Sequence, residues 1–187
     1  MSKKDIWDEL FYITPSRKKK LSTVKKNTWT DLSIVFEDIS DPHNVLASFR
    51  NCDAFGVRDI HLIFNTTPKF NPKDLGRRSS ASANKWVNVK TWDNTKECFD
   101  FLNKNKKEIY ATYLNSKATN IWDFNFKQNN LALVFGNEKK GVSKYVLDNV
   151  KGSIYIPMFG FVQSLNLSVS VGIVLYELNR QRRVGNK

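Results

Sequence analysis

Leu131-Ala132-Leu133-Val134-Phe135-Gly136-Asn137-Glu138 reads as an apolar strand that runs directly into a small residue, an amide and an acid. A second apolar strand, Ile154-Tyr155-Ile156, meets Pro157-Met158-Phe159-Gly160 in the same way. Ser164-Leu165-Asn166 follows, and then a long apolar helix that ends in Arg180-Gln181-Arg182-Arg183. Small or polar residues therefore sit twice at the C-terminal end of a hydrophobic strand. In open α/β sheets ligands bind at that edge, because backbone groups and helix N-termini converge there. The layout is that of an active site.

Outward from this stretch, helix and strand signals alternate. Residues 5–12 and 15–26 read as short helices, and Leu32 to Phe36 as a strand. Asp41-Pro42 then caps and opens a helix running to about Phe55, which Gly56 ends. Asp59 to Phe64 is the next strand, and a polar loop from Asn65 to Asn84 leads to a strand at Trp86 to Val89. A helix over residues 95–106 feeds a strand at Ile109 to Tyr113. The strand Leu131 to Phe135, a short helix at Ser143 to Asn149, the strand Gly152 to Ile156 and the final helix complete the series. This alternation predicts an α/β protein with a mainly parallel sheet.

The 187 residues suit one domain with a substantial core, and 41% hydrophobic content excludes wholesale disorder. No stretch approaches the roughly 20 apolar residues needed to span a bilayer, so no membrane partner is expected. The charged start, Met1 to Glu9, lacks the apolar segment of a signal peptide. Cys52 and Cys98 stand isolated and are read as buried, reduced thiols. A cytoplasmic location is expected. The net charge of +12 makes a polyanion the default partner. Its cations cluster at Arg17-Lys18-Lys19-Lys20 with Lys25-Lys26, and again at Arg180, Arg182, Arg183 and Lys187. The first cluster lies on a helical segment, where a structured basic surface suits phosphates better than a loose tail does.

Familiar nucleotide and metal sites do not fit. Gly136 to Ser143 has the glycine and serine spacing of a phosphate-binding loop, but Val142 stands where the essential lysine belongs. No G-x-G-x-x-G follows the first strand. Two histidines, His43 and His61, and two scattered cysteines cannot build a usual zinc site, so no metal is expected. Ser164 lacks the G-x-S-x-G context of a hydrolase nucleophile.

Three stretches remain, and their order and spacing resemble the signature motifs of the SpoU/TrmH class of SPOUT RNA 2′-O-ribose methyltransferases. They are Asn44 to Gly56 with Arg50 inside, Phe135 to Ser143 with Glu138 inside, and Ile156 to Ser170 with Ser164 and Asn166 inside. The resemblance covers roughly residues 30–182. It implies a mainly parallel sheet with helices on both faces, a C-terminal trefoil knot, S-adenosylmethionine as methyl donor and a homodimer. General topology rules argue against a knot, so that feature rests on the resemblance alone. The basic extensions and the run Ser82 to Val87 resemble the branch that methylates guanosine-18 in the tRNA D-loop. About 30 residues precede the first core strand, too few for the larger N-terminal RNA-binding domain of ribosomal RNA members. The expected division is a basic helical extension over 1–30, the methyltransferase domain over 31–182 and a short basic tail over 183–187. One departure is that the N-terminal cluster is mostly lysine where relatives are arginine-rich, which loses bidentate phosphate geometry. The alternatives are another tRNA or ribosomal RNA ribose, or a non-catalytic RNA-binding relative.

The resemblance also implies residue roles. Methyl transfer to a ribose hydroxyl needs loss of the 2′ proton, in-line approach and a fixed donor. Arg50 is assigned to activating the 2′-hydroxyl, although a guanidinium is a poor base because it stays protonated. Asn44 sits six residues earlier on the same helix and need not touch it. Glu138 either pairs with Arg50 or holds the nucleotide. Asn166 anchors the donor-side loop or the ribose, and Ser164 either caps the last helix or takes part in the chemistry. The donor is expected to be gripped, mainly by backbone groups, at Phe135, Gly136, Asn137, Ile156, Pro157, Met158, Ser164, Leu165 and Asn166, with Thr112 and Leu114 lining the same pocket. RNA contacts are expected from Arg17, Lys18, Lys19, Lys20, Lys85, Arg180 and Arg182.

Overall fold

The first strand, β1 (Trp29–Glu37), shows how the sequence pattern becomes a two-sided core. Leu32, Ile34 and Phe36 point to one face, and Val35 to the other, as the two-residue period of a strand requires. Beside it lies β6 (Leu131–Phe135), in register from Leu32 opposite Leu131 to Phe36 opposite Phe135. All five β6 residues are buried, which is why this stretch reads as an unbroken apolar run rather than an alternation.

The computed structural model describes residues 14–72 and 86–184. The expected helix over 5–12, most of the polar loop before residue 86, and Lys85 lie outside them. The remaining strands are β2 (Val57–Ile63), β3 (Asn88–Trp92), β4 (Glu108–Thr112), β5 (Thr119–Asn120) and β7 (Gly152–Tyr155). The seven strands form one sheet in the order β3-β2-β1-β6-β4-β7-β5, with every pairing parallel. Both β6 and β7 insert between strands made earlier in the chain.

The helices are α1 (Pro15–Lys26), α2 (Pro42–Ala54), α3 (Thr95–Lys104), α4 (Lys144–Asn149) and α5 (Leu167–Val184). On one face, Val45, Leu46 and Phe49 of α2 and Val171, Val174, Leu175 and Leu178 of α5 pack against the even-numbered β1 residues. On the other face, Cys98, Phe99 and Leu102 of α3 and Val146 of α4 pack against Val35, Ala132 and Val134. Asp41 caps α2 by accepting from the His43 amide, with Pro42 in its first turn. Gly56 ends that helix at φ +78, where a Cβ would stand 2.5 Å from the Asn27 carbonyl oxygen. Only glycine meets both conditions.

Three element boundaries differ from the sequence expectation. The third strand is Asn88–Trp92 rather than residues 86–89, because a solvated edge strand carrying Lys90 and Thr91 does not show an apolar pattern. The two-residue β5 is too short to carry any periodicity. β1 begins at Trp29, three residues earlier than its apolar run, with a register shift between Trp29 and Ser33.

The largest correction concerns Arg182. It was expected to meet RNA, but its side chain is buried. Nε donates to the Phe126 carbonyl at 2.6 Å, Nη2 to the Gln128 carbonyl at 2.7 Å, and Nη1 to both Asp31 carboxylate oxygens at 3.0 Å. The guanidinium also lies 5.1 Å from the Trp29 ring. The end of α5 is thereby locked to β1 and to the 124–128 loop. Arg182→Ala should cost about 3 kcal/mol, the scale for deleting one member of a largely buried ion pair. The readout is a lower Tm. Arg180→Ala should leave the Tm within roughly 2 °C, because the Arg180 side chain is itself half exposed and Glu177 keeps the Gln181 amide as a donor. A native Tm for Arg182→Ala would show that the clamp carries no stability.

Candidate active site

Glu37 closes β1 with a buried carboxylate. It accepts from the Ser143 amide at 2.8 Å, the Ser143 hydroxyl at 2.7 Å and the Thr95 hydroxyl at 2.6 Å. Thr95 begins α3, and Ser143 caps α4. Two helix N-termini therefore converge on one carboxylate at the C-terminal edge of the sheet, where aligned peptide dipoles favour negative charge. This anchors the far end of the loop that leaves β6.

The near end of that loop is anchored by Asn137. Its amide group donates to the Asp38 carbonyl at 2.6 Å and the Ser40 hydroxyl at 2.7 Å. Its oxygen accepts from the amides of Lys139 and Lys140. Asn137 and Gly141 exchange backbone hydrogen bonds at 2.9 and 2.8 Å, closing a tight turn. Gly136 sits at its base, where a Cβ would stand 2.3 Å from the Gly141 carbonyl carbon. Asn137 was expected to bind the methyl donor. Its side chain and its backbone are both spent on holding the turn.

Glu138 lies on this turn and reaches across to the start of α2. Its carboxylate accepts from the Ser40 amide at 3.0 Å and from Asn44 Nδ2 at 2.8 Å. Asn44 Oδ1 accepts in turn from Asn166 Nδ2 at 2.9 Å. Asn166 Oδ1 accepts from the amide and hydroxyl of Ser168, at 2.9 and 2.7 Å. A carboxylate can only accept, and the Ser168 amide can only donate, so both asparagine orientations are fixed by their neighbours. Asn166, Asn44 and Glu138 thus form one directed chain across three segments far apart in sequence. Burial pushes the Glu138 carboxyl up. Hydrogen bonds from Asn44, from its own amide, and from the Ser40 and Asp41 amides outweigh this and hold it below its ordinary value of 4.5.

Arg50 does not join the chain. It is exposed on α2, with no hydrogen bond or ion pair to described residues, and Asn44 takes the partner that it was expected to share. Ser164 is exposed, and it is Asn166 that caps α5. Thr112 donates its hydroxyl to the Val134 carbonyl at 3.1 Å, so it ties β4 to β6 at the same edge. Ile156, Pro157, Met158 and Leu165 are half-buried, and Leu114 is exposed. Phe135 points into the core, 6.0 Å from the Phe36 ring.

Among the basic residues, Lys19 is exposed on α1 and Arg180 is paired with Glu177 on α5. Arg17, Lys18 and Lys20 share the α1 backbone with Lys19. Arg183 donates to the Asn27 carbonyl at 2.9 Å, so the ends of α5 and α1 meet within one chain. Sequence reading missed Glu37, Ser143, Ser168 and Asn51, whose amide holds the Ser168 carbonyl at 2.6 Å. Asn51 follows Asn44 by seven residues, two turns along one helix face, which is the one signal that was present. Among the described residues no group of three or more His, Cys, Asp or Glu could hold a metal ion. No described helix is long and apolar enough to cross a membrane.

The sequence model of the SpoU rRNA Methylase family matches residues 31–176. A tRNA (guanosine(18)-2′-O)-methyltransferase of Thermus thermophilus is 36% identical over 171 residues, covering 90% of this chain and 84% of that protein. One of the same description from Escherichia coli K12 is 32% identical, covering 91% of this chain and 72% of that protein. The crystal structure of the Aquifex aeolicus TrmH/SpoU tRNA modifying enzyme superposes with a TM-score of 0.76 at 30% identity, over 90% of this chain and 85% of that one.

The depressed Glu138 carboxyl has a consequence for stability. A group whose folded pKa lies below its unfolded value stabilises the fold above the unfolded value, and loses that contribution as pH falls through the folded one. Denaturant unfolding should therefore separate the wild type from Glu138→Gln at pH 7, and the gap should shrink steadily below pH 4.5. A gap that stays constant down to strongly acid pH would mean that Glu138 is not held as a stabilised carboxylate.

Proposed function

The chain belongs to the SpoU rRNA methylase family, and from that premise we propose that it methylates the ribose 2′-hydroxyl of guanosine-18 in the tRNA D-loop. The observation that carries this reading is the likeness, over nine-tenths of the chain, to relatives described as guanosine-18 methyltransferases. The directed chain of Asn166, Asn44 and Glu138 supplies a prearranged polar strip at the ligand-binding edge of the sheet. A ribosomal RNA ribose is the second reading, favoured by the description of the matching family.

The edge suits S-adenosylmethionine. Half-buried Ile156, Pro157, Met158 and Leu165 offer apolar surface for an adenine, and Gly136 leaves backbone without a side chain beside it. When bound, S-adenosylmethionine supplies an electrophilic methyl group on a sulfonium. The residues of the chain present the 2′-oxygen and steady its charge. Asn44 and Asn166, each locked by its neighbour, fix the strip against which the ribose lies. Arg50 is assigned to the substrate: its guanidinium is uncommitted, stays protonated, and suits a phosphate or a developing oxyanion better than the role of base.

The enzyme is proposed to act as a homodimer with a C-terminal knot. Val169, Ile173 and Tyr176 are exposed along one face of α5, and Phe159, Phe161 and Val162 are exposed just before it. These exposed apolar side chains fit a second copy better than water. The insertion of β6 and β7 between earlier strands is the arrangement from which a knot would be tied. The junction of α1 with α5 supports one tRNA-binding surface built from Lys18, Lys19, Lys20 and Arg180. Lys85 is proposed to add to it. The two free, buried thiols, Cys52 and Cys98, accord with a cytoplasmic setting.

Mapping 2′-O-methyl groups in RNA from cells with and without the gene tests the substrate. Loss of the mark at guanosine-18 of tRNA is expected, and loss at a ribosomal position alone would favour the second reading. Arg50→Ala should lower turnover at saturating RNA by roughly 100-fold or more, with S-adenosylmethionine affinity within a few-fold. Near-normal turnover would remove Arg50 from the chemistry. Ile173→Asp should convert the dimer to monomer in sedimentation analysis, whereas an unchanged mass would place the interface elsewhere.

A further inference from the structure

The turn that carries Glu138 also carries two lysines, which places two cations directly beside the polar strip. Lys96, Lys144 and Lys151 each have a carboxylate within 2.7 Å, from Asp100, Asp148 and Glu108. Lys139 and Lys140 are exposed, and no carboxylate among the described residues pairs with either. The adjacent Glu138 does not neutralise them, because its two oxygens are turned to the Ser40 amide and Asn44.

The backbone beneath them is fixed. Both lysine amides are taken by Asn137 Oδ1, at 2.9 and 3.0 Å. The turn is closed by the paired hydrogen bonds of Asn137 with Gly141, and Asn137 is itself tied to Asp38 and Ser40. The turn therefore has no free amide at these positions to offer an anion, and anion recognition falls to the two ammonium groups. Their stems leave α-carbons about 3.8 Å apart, close enough for both to converge on one phosphate. The same turn sends an acid inward to the asparagine strip and two cations outward.

We propose that Lys139 and Lys140 form a phosphate subsite that holds the RNA backbone next to the ribose presented to the Glu138–Asn44–Asn166 strip. This rests on the methyltransferase reading for the identity of the ribose. The subsite works by charge and reach rather than by base reading, so it sets affinity and placement of the strand, not sequence preference. It lies on a different element from the α1 and α5 cations.

The test uses the full chain and an unmodified tRNA transcript, with Lys139→Ala/Lys140→Ala compared with Lys144→Ala, a paired lysine on α4. The double variant should keep its Tm and its S-adenosylmethionine affinity within two-fold. It should bind RNA at least ten-fold more weakly. The log–log salt slope of binding should flatten by about 0.7 for each single-strand phosphate that is no longer neutralised. Lys144→Ala should change none of these, and Lys139→Arg/Lys140→Arg should restore the slope. Unchanged affinity and slope in the double variant would overturn the proposal, as would an equal weakening in Lys144→Ala. Binding is read apart from catalysis, so a wild type that binds RNA but transfers no methyl group defeats the methyltransferase reading and leaves the subsite test standing.

Discussion

Glu37 is the buried charge on which the active edge depends. An unpaired carboxylate taken out of water costs several kcal/mol unless hydrogen bonds replace its hydration. No cation pairs with it among the described residues. Instead, the amide and hydroxyl of Ser143 and the hydroxyl of Thr95 surround it, all within 2.8 Å. The charge is tolerable only while α3 and α4 keep their N-termini aimed at the end of β1. Two helices on one face of the sheet are thus held to a single point, and the 136–143 loop has a fixed far end.

That anchoring explains how a loop carboxylate can take part in a directed hydrogen-bond chain. Asn137 fixes one end of the loop to Asp38 and Ser40, and Ser143 fixes the other to Glu37. Glu138 lies between two clamps and meets the start of α2, itself set by the Asp41 cap. The third member, Asn166, arrives from the end of the chain and is oriented by the first turn of α5. Asn51 holds that turn to α2 through the Ser168 carbonyl. The polar strip is therefore a product of tertiary packing between α2 and α5, and it is lost if that face of the core slips.

The sheet and most helices were legible because their signals are local. The unbroken run of β6, the Asp41-Pro42 cap and the Gly56 terminator each state their structure within a few residues. Motif spacing also named Asn44, Glu138 and Asn166, although no local rule says that they touch. What could not be read was partner choice. Arg50 was the expected side-chain mate for Glu138, and only the relative placement of α2 and the loop gives that place to Asn44. Ser164 and Asn166 both suit a helix cap, and the actual start of α5 selects Asn166. β5 and the extended β3 escaped because edge pairing leaves little trace in hydropathy.

Charge shows the same limit from another side. The net +12 points to a polyanion, but it treats all cations alike. Arg182 sits in a basic C-terminal cluster and yet serves Asp31 and two backbone carbonyls in the interior. A guanidinium carries five donors in a planar fork, so it can end a helix, bridge two loops and pair an acid at once. A lysine has no such geometry and is less often recruited to structure. The free lysines of the 137–141 turn are for that reason a better index of where a phosphate would be met than the arginines that dominate the end of α5. Exposure, lack of an acid partner and adjacency to Glu138 of the strip, not position in a basic run, separate the two roles.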